Sequence, residues 1–249
     1  MCACGTHREA GHMTQPPNAL TAALRGSALT KAYGSSVALA GVDFRIDPGE
    51  SVAIMGASGS GKTTLLHCLA GIVRPDSGSV VLTPPCGDSV VVTELGEAER
   101  SRLRRQSFGF VFQQGLLLPE LTAVENVALP LMLGGRSRRG AVKEAAAWLA
   151  ALGLAGLEKR RIGQLSGGQA QRVAIARAQV TGAAVVFADE PTGALDSRTS
   201  ADVMEALIRS TTGRGHSLVV VTHDPEVAAK CSRVLQLADG RIVSEVMSR

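Results

Sequence analysis

Two stretches of the chain combine glycine with residue types that can bind phosphate. The first is GASGSGKTT at residues 56–64, and the second is LSGGQ at residues 165–169. Glycine-rich turns leave backbone N–H groups free to point at anionic oxygens, and a helix that begins there adds the positive end of its dipole. Both stretches therefore predict contacts with phosphate, which raises the question of why one chain carries two.

The first stretch fits the pattern G-x-x-x-x-G-K-[ST]. It follows the apolar run SVAIM, a predicted strand, and opens a predicted helix from about Lys62 to Ala70, which is the context that the pattern requires. We expect Lys62 to neutralise charge on the β- and γ-phosphates and the Thr63 hydroxyl to bind Mg²⁺. The pattern predicts a nucleoside triphosphate site made of Gly56, Ala57, Ser58, Gly59, Ser60, Gly61, Lys62, Thr63 and Thr64.

A second acidic element lies in AAVVFADE. The apolar part reads as a buried strand, and it ends in Asp189 and Glu190. Phosphoryl transfer requires positioning and charge neutralisation, so one carboxylate near the metal and one beside the attacking water are the expected parts. We therefore predict that Asp189 binds Mg²⁺ and that Glu190 is the general base.

The LSGGQ stretch precedes the helix-forming run AQRVAIARAQ. Ser166 is a suitable N-cap, and Gly167, Gly168 and Gln169 leave the N–H groups of the first helical turn accessible to phosphate. Two phosphate-binding ends separated by a helical lobe are hard to place around one nucleotide in one small chain. A symmetric pair, in which each subunit closes over the nucleotide of the other, removes the difficulty.

These motifs, in this order, resemble the ATP-binding subunit of ABC transporters over roughly residues 26–246. The resemblance implies an α/β fold: a P-loop NTPase (RecA-like) core with an antiparallel β subdomain and an inserted helical subdomain. It implies ATP and Mg²⁺ as ligands and a head-to-tail homodimer with ATP at the interface.

The resemblance also implies roles for four more residues. Tyr33 in KAYG matches the aromatic residue that stacks on adenine, and Gln113 in FVFQQ matches the glutamine that touches Mg²⁺ and senses the permease. Asp196 in ALDS matches the aspartate that contacts the opposite subunit. His223 in VVVTHD matches the switch histidine at the γ-phosphate, so we group it with Glu190 and Gln113 as catalytic.

The order of apolar runs predicts the architecture. Strand-like runs SALTKAY, VDFRI, SVAIM, GSVVL, DSVVV and FGFVF precede a mainly helical part, and AAVVFA, SLVVVT and RVLQL follow it. We predict a flexible leader at residues 1–25 and one ATP-binding domain at residues 26–249, with a helical insertion at about 115–180. Cys2, Cys4, His7 and His12 in the leader fit no zinc spacing.

Composition restricts the class of protein. The 249 residues are 45% hydrophobic, which is enough for a sizeable core. The sequence contains no run of about 18–20 apolar residues, the length that is needed to span a bilayer. A membrane role must therefore come through a partner. The aromatic content of 3% and net charge of +4 lead us to expect no nucleic-acid partner. Irregularly spaced cysteines and the lack of a secretory signal indicate that the protein lies in the cytosol.

The favoured function is ATP hydrolysis that drives an integral-membrane permease from the cytoplasmic face of the membrane. The sequence resembles the subgroup that serves macrolide-export, lipoprotein-release and cell-division permeases. One alternative is an ATPase regulator of cell-wall remodelling in cell division. Another is a soluble, non-transport ABC-type ATPase that acts on ribosomes or DNA, although such members resemble two fused domains or contain a long coiled coil, which this chain lacks.

Overall fold

Two β-sheets with helices packed on them make up the described part of the chain. The structure is a computed structural model that describes residues 23–85, 87–113 and 115–248. The cluster of Cys2, Cys4, His7 and His12 lies outside these residues, as does most of the predicted leader. The predicted boundary at residue 25 is slightly late, because the first strand already begins at Leu24, whose side chain is buried.

The strands and helices alternate along the chain after an initial run of strands. The strands are β1 (Leu24–Tyr33), β2 (Ser36–Ile46), β3 (Ser51–Met55), β4 (Ser77–Leu82), β5 (Val90–Val91), β6 (Phe108–Phe112), β7 (Val185–Asp189), β8 (Ser217–Val221), β9 (Arg233–Ala238) and β10 (Arg241–Met247). The helices are α1 (Lys62–Leu69), α2 (Glu97–Ser107), α3 (Ala123–Leu133), α4 (Arg138–Ala151), α5 (Gly167–Gln179), α6 (Ser197–Thr211) and α7 (Pro225–Ala228), with 3-10 turns at Ile162–Gln164 and Thr212–Arg214.

The strands form one antiparallel sheet and one mainly parallel sheet. The antiparallel sheet has the order β2-β1-β4-β5, and the second sheet has the order β10-β9-β3-β8-β7-β6. In the second sheet only β10 is antiparallel to its neighbour. The predicted P-loop NTPase core with an antiparallel β subdomain is therefore confirmed.

The central strands are apolar throughout because both faces of the parallel sheet are covered. Val52 and Ile54 of β3 belong to the core shared with α1 and the antiparallel sheet. Ala53, between them, belongs to a second core that is shared with the helices of residues 123–211. Such a strand carries no alternation of polar and apolar residues, as the run SVAIM indicated.

Helices α3, α4 and α5 form a helical part between β6 and β7, which we call the helical insertion. Thr122 caps α3 in a capping box with Glu125, and the buried side chain of Asn126 binds the carbonyl oxygens of Leu118, Leu121 and Thr122. On the far side of the insertion the guanidinium carbon of Arg214 lies 4.0 Å from the centroid of the Trp148 ring. This cation–π contact joins α4 to the turn that precedes β8.

One element differs from the sequence-based expectation, and two elements were not predicted. The run DSVVV contains only the two-residue strand β5, which pairs with the end of β4. Helix α2 has no buried residue, so it lacks the apolar periodicity by which a helix is recognised. Strand β10 was not predicted, because it is an exposed edge strand and most of its side chains face solvent.

Gly109 tests the contact between the edge strand β6 and helix α5. A Cβ atom at this position would lie 2.3 Å from the Ala178 carbonyl oxygen, which is backbone and cannot rotate away. We expect Gly109→Ala to lower the free energy of unfolding by about 1–3 kcal/mol in urea titrations, because β6 and α5 must separate. Gly163→Ala is the matched control, since nothing lies within 4 Å of its Cβ position; equal stability of the two variants would contradict this packing.

Candidate active site

The candidate site is a cleft at the carboxyl ends of the parallel strands β3, β7 and β8. Its volume is about 610 Å³. Ligands of open α/β sheets bind at this edge, because the loops that leave the strands can approach them there. The residues that line the cleft are Ala38, Gly56, Ala57, Ser58, Gly59, Gly61, Lys62, Thr63, Thr64, Asp189, Glu190, Val221 and His223.

Two glycines of the loop at residues 56–61 are required by close backbone contacts. A Cβ atom on Gly56 would lie 2.2 Å from the carbonyl oxygen of Leu237, and one on Gly61 would lie 2.2 Å from that of Ala38. Gly61 also has a φ of +102°, which side chains other than hydrogen rarely allow. The loop is thus held between β2 and β9, and any side chain at these two positions would displace it.

The loop and the start of α1 fit a phosphate group. Gly61 caps α1 without any side-chain hydrogen bond, so the cap supplies no side-chain acceptor for the N–H groups of the first turn. The ammonium group of Lys62 turns back over the loop and donates hydrogen bonds of 2.8 Å to the carbonyl oxygens of Gly56 and Ala57. Free N–H groups and one ammonium group are the donors that a triphosphate chain requires.

Thr63 and Asp189 place two oxygen ligands side by side. The Thr63 hydroxyl donates to Asp189 Oδ2 over 3.4 Å. Burial raises the pKa of Asp189, and the hydrogen bond from Thr63 offsets part of that effect. A half-buried carboxylate beside a hydroxyl suits Mg²⁺, which prefers hard oxygen ligands, and the positive ion would compensate the poorly solvated charge.

Glu190 is fixed by three hydrogen bonds next to this pair. Its Oε1 accepts from the backbone N–H of His223 at 3.1 Å and lies 2.7 Å from Nδ1 of the His223 ring, while Oε2 accepts from the Thr222 hydroxyl at 3.3 Å. Glu190 has a left-handed backbone with a φ of +47°. Such a backbone is uncommon for a residue other than glycine and is characteristic of functional sites.

The LSGGQ stretch at residues 165–169, called the signature stretch below, does not line the cleft. Ser166 caps α5 and forms a capping box with Gln169, so the predicted N-cap is confirmed. A Cβ atom on Gly168 would lie 2.5 Å from the side chain of Thr199, and Asp196 caps α6 by accepting from Thr199. Helices α5 and α6 therefore begin side by side. The predicted residues Ser166, Gly167, Gln169 and Asp196 lie on this second surface, whereas Gly168 is buried between the two helices.

Gln113 and Tyr33 are both exposed and also lie outside the cleft lining. Gln113 directly follows β6, and its side-chain amide lies so close to Gly193 that a Cβ atom there would come within 2.9 Å. Tyr33 ends β1, its side chain is 53% exposed, and the Lys31 ammonium group lies 5.6 Å from its ring centroid. Both side chains are accessible to a ligand.

Two residues near the site were not predicted. The backbone of Ala38 lines the cleft and contacts Gly61, but an alanine in a strand carries no chemical signal in a sequence. Thr222 holds Glu190 through its hydroxyl group. A signal for Thr222 existed, because it follows the apolar run SLVVV at the same edge of the sheet as Asp189.

Comparisons with known proteins agree with this geometry. The sequence model of a family described as ABC transporter matches residues 39–193. The lipoprotein-releasing system ATP-binding protein LolD of Bordetella avium is 46% identical over 228 residues, which cover 90% of this chain and 97% of that protein. The macrolide export ATP-binding/permease protein MacB of Burkholderia pseudomallei is 47% identical over 209 residues, which cover 84% of this chain. The chain spans only 31% of the length of that MacB protein.

A solved structure extends the likeness to three dimensions. The dimeric ATP-binding cassette MJ0796, in a post-hydrolysis state bound to ADP and Pi, superposes with a TM-score of 0.80 at 39% sequence identity. The match covers 91% of this chain and 99% of that one.

The ion pair between Glu190 and His223 predicts a measurable titration. The hydrogen bond to Glu190 raises the pKa of His223 above its ordinary value of 6.5. The pair therefore stabilises the fold fully below pH 6.5, and this contribution is lost as the pH rises through the raised pKa. Nuclear magnetic resonance of the ring protons should give a midpoint above 6.5 that moves down in Glu190→Gln. His216, whose pKa burial lowers, serves as the internal control; an unmoved His223 midpoint would contradict the pair.

Proposed function

Because the chain belongs to the ABC transporter family, we propose that it hydrolyses ATP and thereby drives conformational change in an integral-membrane permease. The observation that carries this function is the grouping of Lys62, Thr63, Asp189 and Glu190 around one cleft. Lys62 and Thr63 open α1, Asp189 ends β7 and Glu190 follows it, all at the same edge of the sheet. Together they supply the cation, the metal ligands and the base that phosphoryl transfer requires.

The residues divide the work as follows. Thr63 and Asp189 would hold Mg²⁺, with Gln113 as a further ligand, and the ion would supply positive charge beside the phosphate groups. Lys62 exchanges its bonds to the loop carbonyls for the phosphates. Glu190 accepts the proton of the attacking water. His223, held by Glu190, faces the same cleft and donates to the γ-phosphate.

A second copy of the chain completes the site. Ser166, Gly167, Gln169 and Asp196 lie on one surface that is separate from the cleft, and Gly168 is buried beneath it. This separation supports a head-to-tail homodimer in which the surface closes over the partner's nucleotide. The similar cassette MJ0796 is a dimer bound to ADP and Pi, which supports a dimer of this chain as well. In it Tyr33, at the end of β1, stacks on the base.

An exposed apolar area beside Gln113 supports a permease partner. Ile72 and Leu133, which are 40% and 67% exposed, line a cleft of about 390 Å³ between α2, β6 and α3, and Phe112, which precedes Gln113, lines it too. Leu116, Leu118 and Met132 are further apolar side chains that are at least 40% exposed. Contiguous exposed apolar surface marks an interaction site. None of the helices in the described residues is long and apolar enough to cross a membrane. We propose that the chain acts at the cytoplasmic face of the membrane, through the permease partner.

The names of the relatives favour export over the other proposed roles. The MacB and PvdT relatives are named for the export of macrolides and pyoverdine, and LolD for the release of lipoproteins. These proteins combine or associate the ATP-binding part with a permease or releasing system, according to their names. We therefore place this chain as the ATPase of an export or release system.

Glu190→Gln tests the assignment of the base. The amide keeps the size of the side chain and can hold the water but cannot accept its proton, so ATP should bind while hydrolysis stops. ATP should then trap a dimer that size-exclusion chromatography detects. Lys62→Ala is the control, because without the ammonium group ATP should neither bind tightly nor produce a dimer. Normal turnover by a monomeric Glu190→Gln variant would refute both the base and the shared site.

Tyr33→Ala tests base stacking separately from stability. Stacking on a purine is worth about 1–3 kcal/mol, so the affinity for a fluorescent ATP analogue should fall roughly ten- to a hundredfold. Because the ring is 53% exposed, the melting temperature should change little. Tyr33→Phe keeps the π-face and should bind nearly as tightly as the unmodified chain. Unchanged affinity in Tyr33→Ala, or a loss in Tyr33→Phe of the same size, would exclude stacking.

A further inference from the structure

Helix α5 carries an arginine that binds backbone instead of a carboxylate. Arg177 donates from Nη1 to the carbonyl oxygen of Leu116 and from Nη2 to that of Gly115, both over 2.7 Å. None of the ion pairs among the described residues involves Arg177. A half-buried cation without an acidic partner is costly, and burial accordingly lowers the pKa of Arg177. Its forked geometry is matched to two adjacent carbonyl groups.

The backbone that Arg177 binds is held in an unfavourable conformation. Gly115 and Leu116 have φ values of +66° and +45°, so two successive residues are left-handed. Leucine avoids this region, and the Leu116 side chain is 60% exposed, so its burial cannot compensate the strain. The two hydrogen bonds from Arg177 therefore hold the turn, together with the one that the Gly115 N–H donates to the Phe112 carbonyl oxygen over 2.9 Å.

A second residue of α5 holds the other end of the same segment. Gln171 is 4% exposed, and its Nε2 donates to the carbonyl oxygen of Phe112 over 3.0 Å. Gln113 lies between the two attachment points, after Phe112 and before Gly115. Gln171 and Arg177, together called the α5 clamp, thus fasten the backbone on both sides of the predicted magnesium ligand to one helix.

The N-terminal end of helix α5 is the signature stretch, which lies beside Asp196 at the start of α6. Helix α5 runs unbroken from the Ser166 cap to Gln179, and Ser166 and Arg177 are about 16 Å apart along its axis at 1.5 Å per residue. In the proposed dimer Gln113 belongs to the nucleotide site of its own chain, whereas Ser166 closes the site of the other chain. The helix therefore connects the two sites. Through Arg177 it also holds the turn with the exposed Leu116, which a permease partner can contact.

We propose that Arg177 and Gln171 are positioning residues that make residues 112–116, which include Gln113, move as one body with helix α5. Occupancy of one nucleotide site, or a push on Leu116 by the partner, then sets the position of Ser166 over the other nucleotide. This inference rests on the proposed function, since it needs two ATP sites shared between two chains.

A double-mutant cycle in two backgrounds tests the clamp. All variants carry Glu190→Gln, and the dissociation constant of the ATP-dependent dimer is measured by analytical ultracentrifugation for Gln113→Ala, Ser166→Ala and the pair. With the clamp intact, the combined effect should differ from the product of the single effects by about fivefold or more, as for residues in one network. With Arg177→Met the effects should multiply to within about twofold.

The chain offers a matched control on the same helix. Arg172 also donates to a carbonyl oxygen, that of Leu152 over 3.4 Å, but this contact stays within the helical insertion. Arg172→Met should therefore keep the coupling between Gln113 and Ser166. The affinity of the monomer for a fluorescent ATP analogue should stay within about twofold in both arginine variants, because neither arginine lines the nucleotide cleft.

The outcomes separate the clamp from a merely structural arginine. Unchanged coupling in Arg177→Met, or equal loss in Arg172→Met, would overturn the proposal. If Arg177→Met fails to fold, Gln171→Met removes one hydrogen bond and keeps the apolar volume; reduced coupling then supports the clamp and full coupling overturns it. If the parent Glu190→Gln protein forms no ATP-dependent dimer at all, the proposed function fails in that first measurement, and the clamp fails with it.

Discussion

The parallel register of four neighbouring strands is the constraint on which the rest of the site depends. Ile54, Val221, Asp189 and Phe112 are consecutive register partners across β3, β8, β7 and β6, so they form one row at the carboxyl edge of the sheet. The residues that follow this row are the phosphate loop, His223, Glu190 and Gln113. A shift of any one strand would displace the functional residue that follows it, because neighbouring side chains in a strand point to opposite faces.

Register alone does not fix the chemistry, which also depends on how the site handles charge. Asp189 is half-buried with a hydroxyl neighbour, whereas Glu190 receives a backbone N–H, a hydroxyl group and an imidazole. Two adjacent carboxylates thus occupy different environments, one suited to a metal ion and one to a proton. The left-handed backbone at Glu190 separates them, since it turns the second side chain toward β8.

Much of the fold could be predicted from the sequence, because the buried strands are continuous apolar runs. The phosphate loop could be predicted because its glycines, Lys62 and Thr63 stand at the spacing that the pattern G-x-x-x-x-G-K-[ST] requires. Elements without an apolar face could not be predicted, because α2 buries none of its residues and β10 is an exposed edge strand. The roles of Ala38, Gln171 and Arg177 could not be predicted, because they act through backbone groups that only the tertiary fold brings together. A glutamine and an arginine in a polar helical run look like solvated residues until their partners are known.

The contact between Arg214 and Trp148 has an optical consequence. Trp148 is the only tryptophan among the 249 residues, and it lies where helix α4 of the insertion meets the turn before β8. A cation–π contact at an exposed position contributes only about 0.5–1 kcal/mol, so it does not by itself fix α4 against this turn. Indole emission depends on its surroundings, and the chain therefore carries a built-in fluorophore that reports whether the helical insertion contacts the turn before β8, without any added label.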